Sequence, residues 1–255
     1  MNGEATHSKR LFWGCFIALI ATSFGFVIRA MIISDWARDF NLTPTQQGEI
    51  FGVGLWPFAI SIVLFSLIID KVGYKAAMIF GFLCHALSLV ITVTAKSYNQ
   101  LYLGMFIVAL GNGTVEAYAN PVVATLFSKD KTKWLNALHA GWPGGLVLGG
   151  ILTIALGAFG VSSWKVKVLL LAIPMLVYFI MLISEKFPVN ERVAAGVSYK
   201  DMLKEVGALG IFFIAWMVFS ELSRVLGPQL GIQMEPVKAG AIVAGIIGIG
   251  FGLYV

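Results

Sequence analysis

The chain has 255 residues, of which 58% are hydrophobic and 12% charged, with a mean hydropathy of +0.87. A soluble domain carries about 25% charged residues, so this balance excludes a soluble enzyme. The 18 Lys and Arg against 13 Asp and Glu give a formal charge of +5, but the basic residues are scattered between apolar runs, which argues against a nucleic-acid partner. Cys15 and Cys84 lie inside apolar runs with neither metal spacing nor a disulfide framework, so no metal and no cofactor is expected.

A helix needs about 20 mainly apolar residues to cross roughly 30 Å of hydrocarbon. Runs of that kind extend from Leu11 to Ser34, Ile50 to Ile69, Ala76 to Ala95, Leu101 to Phe127, Leu135 to Ala158, Val166 to Ile183 and Val206 to Leu226. An eighth, rich in Gly, opens near Ala239 and continues to Val255. The expected fold class is therefore all-α, a polytopic helical protein of the lipid bilayer. The first run is too long for a signal-peptide core and no small-residue cleavage site follows it, so no cleaved leader is expected.

With the N-terminus inside, eleven Lys and Arg fall on inner segments and six on outer ones, Arg29 being within a span. Cytoplasmic loops carry the excess of positive charge, which places the N-terminus in the cytoplasm, as for a multi-pass protein of the plasma (inner) membrane. Lys165 and Lys167 are a local exception. Trp13, Trp36, Trp134 and Trp164 fall near span ends, where indole rings favour the headgroup region.

The longest polar segment, Ser184 to Glu205, mixes both signs of charge with Pro188 and Gly196 and reads as a linker. Residues 1–183 are thus expected to form a six-helix lobe, 184–206 a cytoplasmic linker, and 207–255 the start of a second lobe. On this reading the chain is part of a longer protein; a half-size protein that dimerises is the alternative.

Between spans two and three the sequence reads Ser66-Leu-Ile-Ile-Asp70-Lys71-Val-Gly73-Tyr-Lys75. This loop resembles the signature of the major facilitator superfamily, matching it at Asp70, Lys71, Gly73 and Lys75 and departing from it at Ser66 and Tyr74. An Asp at a helix end can cap a neighbouring helix and Gly permits a tight turn, so the four residues are candidates for an inner gating loop.

Span four contains Gly111-Asn-Gly-Thr-Val-Glu116-Ala-Tyr-Ala-Asn120-Pro121. It resembles the fucose, galactose and glucose proton symporter branch of that superfamily, which carries Gly-x-Gly, then Glu, then Ala-Asn-Pro in this helix. The resemblance implies a sugar-binding and proton-accepting role for Glu116 with Asn120 beside it. Independently of family, Asn112, Glu116 and Asn120 are spaced by four and share one helix face. An ionised carboxylate near mid-membrane is costly, so Glu116 is expected to be paired, protonated or at a cavity.

Arg29 in span one is the expected partner of Glu116, with snorkelling to the outer interface as the other reading. The branch places an Asn-Asp pair where this chain has Arg29-Ala30. Asn136, His139 and Trp142 share a face of span five and are candidate substrate ligands, His139 also for proton transfer, against a reading as packing residues. His85 reads as packing, and so does the four-residue repeat Gly141, Gly145, Gly149. Glu221 and Arg224 are placed for an ion pair of their own, and Asn41-Leu-Thr43 reads as a helix start rather than a glycosylation acceptor.

The sequence therefore points to a secondary transporter, not an enzyme, that moves a small polar solute, with a proton-coupled sugar as first choice, by alternating access. The competing class is a membrane sensor or partner subunit on the same fold. ATP-driven transport lacks support, since no phosphate-binding Gly-rich loop with Lys occurs.

Overall fold

The computed structural model describes residues 2–227, 231 and 234–254, all helix and connecting turn, with no strand among them. The helices are α1 (Asn2–Met31), α2 (Ile33–Phe40), α3 (Pro44–Val53), α4 (Trp56–Val72), α5 (Tyr74–Val93), α6 (Tyr98–Leu126), α7 (Lys131–His139), α8 (Gly141–Ala158), α9 (Trp164–Leu169), α10 (Ala172–Ile183), α11 (Glu191–Ala194), α12 (Tyr199–Leu226) and α13 (Pro236–Tyr254). They form two compact units, Met1–Asn190 and Glu191–Val255.

Prolines explain why there are more helices than spans. Proline has no N–H for the carbonyl four residues before it, and its ring crowds that carbonyl. Pro57 leaves Val53 without its bond, and α3 ends at Val53; Pro143 does the same to His139, and α7 ends at His139. Pro174 acts on Leu170, one residue past the end of α9. Each broken pair is still one membrane-length segment: Pro44–Val72, Lys131–Ala158 and Trp164–Ile183.

With His7–Met31, Tyr74–Val93, Val206–Arg224 and Pro236–Tyr254, seven segments among the described residues are long and apolar enough to cross a membrane. The fourth expected span, α6, has 29 residues but is not one of the seven. Asn112, Glu116 and Asn120 dilute its apolar surface.

In the first unit α1 and α6 are the hubs, α1 packing on α6, α8 and α10, and α6 on α4 and α5. The core is aliphatic and aromatic, with Leu11, Cys15, Leu19, Phe24 and Ile28 of α1 buried beside Leu101, Val115, Tyr118 and Val122 of α6. Small residues set the spacing. A Cβ on Gly141 would stand 3.1 Å from the Phe16 ring, one on Gly149 3.1 Å from the Phe24 carbonyl, and one on Gly145 2.7 Å from the Ile20 carbonyl, so this repeat is the packing ridge of α8 on α1.

Both ends of the unit carry polar ties. At one, Glu185 pairs with His7 Nδ1 at 2.5 Å and Arg10 Nε at 3.0 Å. At the other, Trp164 Nε1 donates to Asp39 Oδ2 at 2.8 Å and Lys167 Nζ lies 3.8 Å from Asp35 Oδ2. The exceptional Lys167 thus has a local acidic partner. Trp36 is wholly buried, edge-on to Trp164. Thr43 caps α3 through a reciprocal capping box with Gln46, as its residue type favours.

In the second unit α12 bends at Gly207, which adopts φ +66°, and packs along α13. The glycine-rich last run has its explanation there. Gly240, Ala244 and Gly248 recur every four residues, are buried, and let α13 approach Ser220 and Phe212 of α12. Arg224 donates to Glu221 through Nε at 3.0 Å and Nη2 at 2.5 Å, the expected pair.

Candidate functional site

The glycines of the Gly-Asn-Gly run in α6 answer to both neighbouring helices. A Cβ on Gly111 would stand 2.8 Å from the His85 ring and 3.1 Å from the Gly81 carbonyl of α5; one on Gly113 would overlap the Phe58 carbonyl of α4. On the same flank Ser61 Oγ lies 2.7 Å from the Leu110 carbonyl and 2.9 Å from Thr114 Oγ1, stapling α4 to α6. The motif is thus partly a packing device, clamping α6 between α4 and α5 so that its polar residues have fixed directions.

Those directions differ. Asn112 is turned into the lobe, where its Oδ1 accepts from His85 Nε2 at 2.9 Å. Glu116 and Asn120 face each other one turn on: Asn120 Nδ2 lies 3.0 Å from Glu116 Oε2 and 3.0 Å from the Glu116 carbonyl. Asn120 Oδ1 is buried without a partner. Among the described residues no Lys or Arg forms an ion pair with Glu116. Pro121 lies inside α6 without breaking it.

His139 and Asn136 are both exposed on α7, and Trp142, at the start of α8, is half-buried with its ring 6.3 Å from that of Phe26. The break at Ala140 therefore falls between His139 and Trp142.

The expected pair of Arg29 with Glu116 does not form. Gly25 leaves room for the guanidinium to fold back along α1, where Nη1 donates to the Gly25 carbonyl at 3.2 Å, while Nη2 donates across to Ser88 Oγ of α5 at 3.2 Å. Arg29 is 3% exposed, so it does not snorkel either. Its neighbours were not apparent from composition: Ser88 Oγ donates to the Gly104 carbonyl at 2.7 Å, and the His85 ring bridges Asn112 and Tyr178, whose hydroxyl is 3.0 Å from Nδ1. A signal existed in the spacing of His85, Ser88 and Thr92, which repeat at three and four residues on one buried face of α5.

At the end of α4, Gly73 adopts φ +81°, its N–H closing on the Ile69 carbonyl at 2.8 Å. Nothing crowds its Cβ position, so glycine is required there by conformation, not space. Asp70 is half-buried beside this turn, and Lys71 and Lys75 are exposed.

Five membrane-length apolar segments packed with α6 around α1, and two more in the second unit, are the architecture of a polytopic α-helical membrane protein. The family model of the Major Facilitator Superfamily matches residues 14–255, and the chain belongs to that family. It is 26% identical over 186 residues to the Protein TsgA homolog of Buchnera aphidicola, covering 72% of this chain and 47% of that one. It is 29% identical over 99 residues to the L-fucose-proton symporter of Escherichia coli, covering 38% of this chain and 23% of that one. The crystal structure of a D-xylose-proton symporter aligns with a TM-score of 0.54 at 12% identity, over 95% of this chain and 66% of that one, a likeness of fold. The chain thus spans less than half the length of these two curated relatives.

Proposed function

We propose that the protein is a secondary active transporter that moves a small polar solute, a sugar first among the candidates, together with a proton, and that Glu116 carries the proton. The supporting observation is the Glu116–Asn120 pair. A carboxyl near mid-membrane without a cationic partner is held more cheaply neutral than charged, and it gains a counter-charge only when water or an imidazolium reaches it. With Glu116 protonated, its hydroxyl and the unpartnered Asn120 Oδ1 present a donor and an acceptor side by side, which suits the hydroxyls of a sugar. After the lobes rock, water or His139 draws the proton away.

In this reading the end that carries His7, Arg10 and Glu185 is cytoplasmic, in the plasma (inner) membrane, and the Asp70 turn is the inner gate. Similarity to the L-fucose-proton symporter supports the sugar assignment. The test is sugar-dependent proton movement: weakly buffered proteoliposomes of the complete protein should alkalinise the medium when L-fucose, D-galactose, D-glucose or D-xylose is added. Uptake of a polar solute with no accompanying proton would contradict the coupling.

A further inference from the structure

One imidazole joins the N-terminal end of α1 to the chain leaving α10. His7 Nδ1 lies 2.5 Å from Glu185 Oε2 and Nε2 lies 3.0 Å from the Lys186 carbonyl oxygen. Arg10 Nε donates to the other carboxylate oxygen of Glu185 at 3.0 Å, so both ring nitrogens of His7 face acceptors. A neutral imidazole has a single N–H and would set a lone pair against one of them, whereas imidazolium donates to both. The arrangement needs a bound proton.

Imidazole is the side chain whose charge ordinarily changes between about pH 5 and 8. The charged groups facing His7 are Glu185, from the end of α10, and behind that carboxylate Arg10, from α1 itself; Lys9 and Lys186 flank them in sequence. Loss of the proton leaves a nitrogen lone pair against the Glu185 anion. The tie that remains is the pair with Arg10, which is half exposed, and exposed ion pairs hold weakly.

What the imidazolium fastens is the last turn of this unit and the residue after it. Glu185 N–H closes on the Leu182 carbonyl at 3.1 Å. Phe187 follows, its ring edge-on to that of Tyr118 with centroids 6.4 Å apart, and Tyr118 is wholly buried in α6, two residues past Glu116.

We propose that His7, Glu185 and Arg10 form a proton-operated latch. With His7 charged, the chain leaving α10 is fastened to α1; with His7 neutral, that chain is released and Phe187 is freed from Tyr118. Closure takes up a proton, so it is favoured as pH falls and lost as pH rises. The latch is separate from solute binding and stands whether or not Glu116 carries a proton.

The test is amide hydrogen exchange of the complete protein in nanodiscs without solute, at about pH 6 and about pH 8, with each rate divided by the intrinsic rate of an unfolded chain at that pH. Protection of the peptide covering residues 184–187 should fall about tenfold from the lower pH to the higher, while α5 keeps its own. His7→Gln retains one donor but never carries a charge, so it should show the same low protection at both pH values. Glu185→Gln should do likewise, whereas Arg10→Gln should retain the pH dependence. Equal protection of this peptide in the parent at both pH values would overturn the proposal, and that comparison needs no substitution. So would an unchanged pH dependence in His7→Gln, or an equal loss of protection in α5.

Discussion

His85 Nε2 donates to Asn112 Oδ1 at 2.9 Å, and this bond splits a stripe that helix periodicity alone would keep together. Asn112 serves the interior of the first unit, so on the proposed reading Glu116 and Asn120 alone face the solute. Asn112→Leu should therefore act on stability. It leaves a buried imidazole N–H unpaired, at a cost of about 1–3 kcal/mol, and Tm of the purified protein should fall while the proton-to-solute ratio stays as in the parent. A changed ratio with normal Tm would return Asn112 to the transport site.

Asn120 presents its unpartnered Oδ1 next to Glu116. Replacement by Leu removes the amide that bonds the Glu116 carboxyl and, on the proposed reading, one hydrogen bond to the solute. Solute affinity, measured by isothermal titration, should weaken about tenfold to a hundredfold, with little change in Tm; unaltered affinity would place the solute elsewhere.

The glycines of α8 separate packing from mere helix composition. Gly145→Ala drives a methyl into Ser23 and the Ile20 carbonyl and should destabilise by about 1–3 kcal/mol. Gly150→Ala, with nothing within 4 Å, should be neutral or stabilise by up to about 1 kcal/mol through helix propensity. Tm values of the two variants decide it, and equal shifts would contradict the α1–α8 contact.

At the inner turn Asp70→Asn should slow cycling without weakening solute binding. Initial uptake rate and equilibrium affinity, measured on the same preparation, separate the two. Unchanged uptake would remove Asp70 from the gate.

The all-α fold was largely legible in the sequence because membrane-length helices are read from length and apolarity, and seven of the eight expected apolar runs coincide with such segments. Two things were not. The proline breaks at Val53, His139 and Leu170 depend on where a missing N–H falls within a continuous apolar run, which hydropathy does not register. The partner of Arg29 depends on side-chain direction: its depth suggested either Glu116 or the interface, and the structure takes neither, since Gly25 lets the guanidinium fold back and Ser88 meets it from α5. Glu116 and Asn120 were legible because a four-residue spacing fixes them on one face, whereas the turning of Asn112 towards His85 is a tertiary choice.

The central claim is that Glu116 carries the coupled proton, and Glu116→Gln in proteoliposomes tests it most directly. Glutamine keeps the shape and hydrogen bonding of the neutral acid but cannot release a proton. The variant should still bind sugar and exchange it across the membrane at equilibrium, while sugar addition no longer alkalinises the medium and a pH gradient no longer drives accumulation. If sugar-induced alkalinisation by Glu116→Gln equals that of the parent, the proton is carried by another group, and the assignment of Glu116 is wrong.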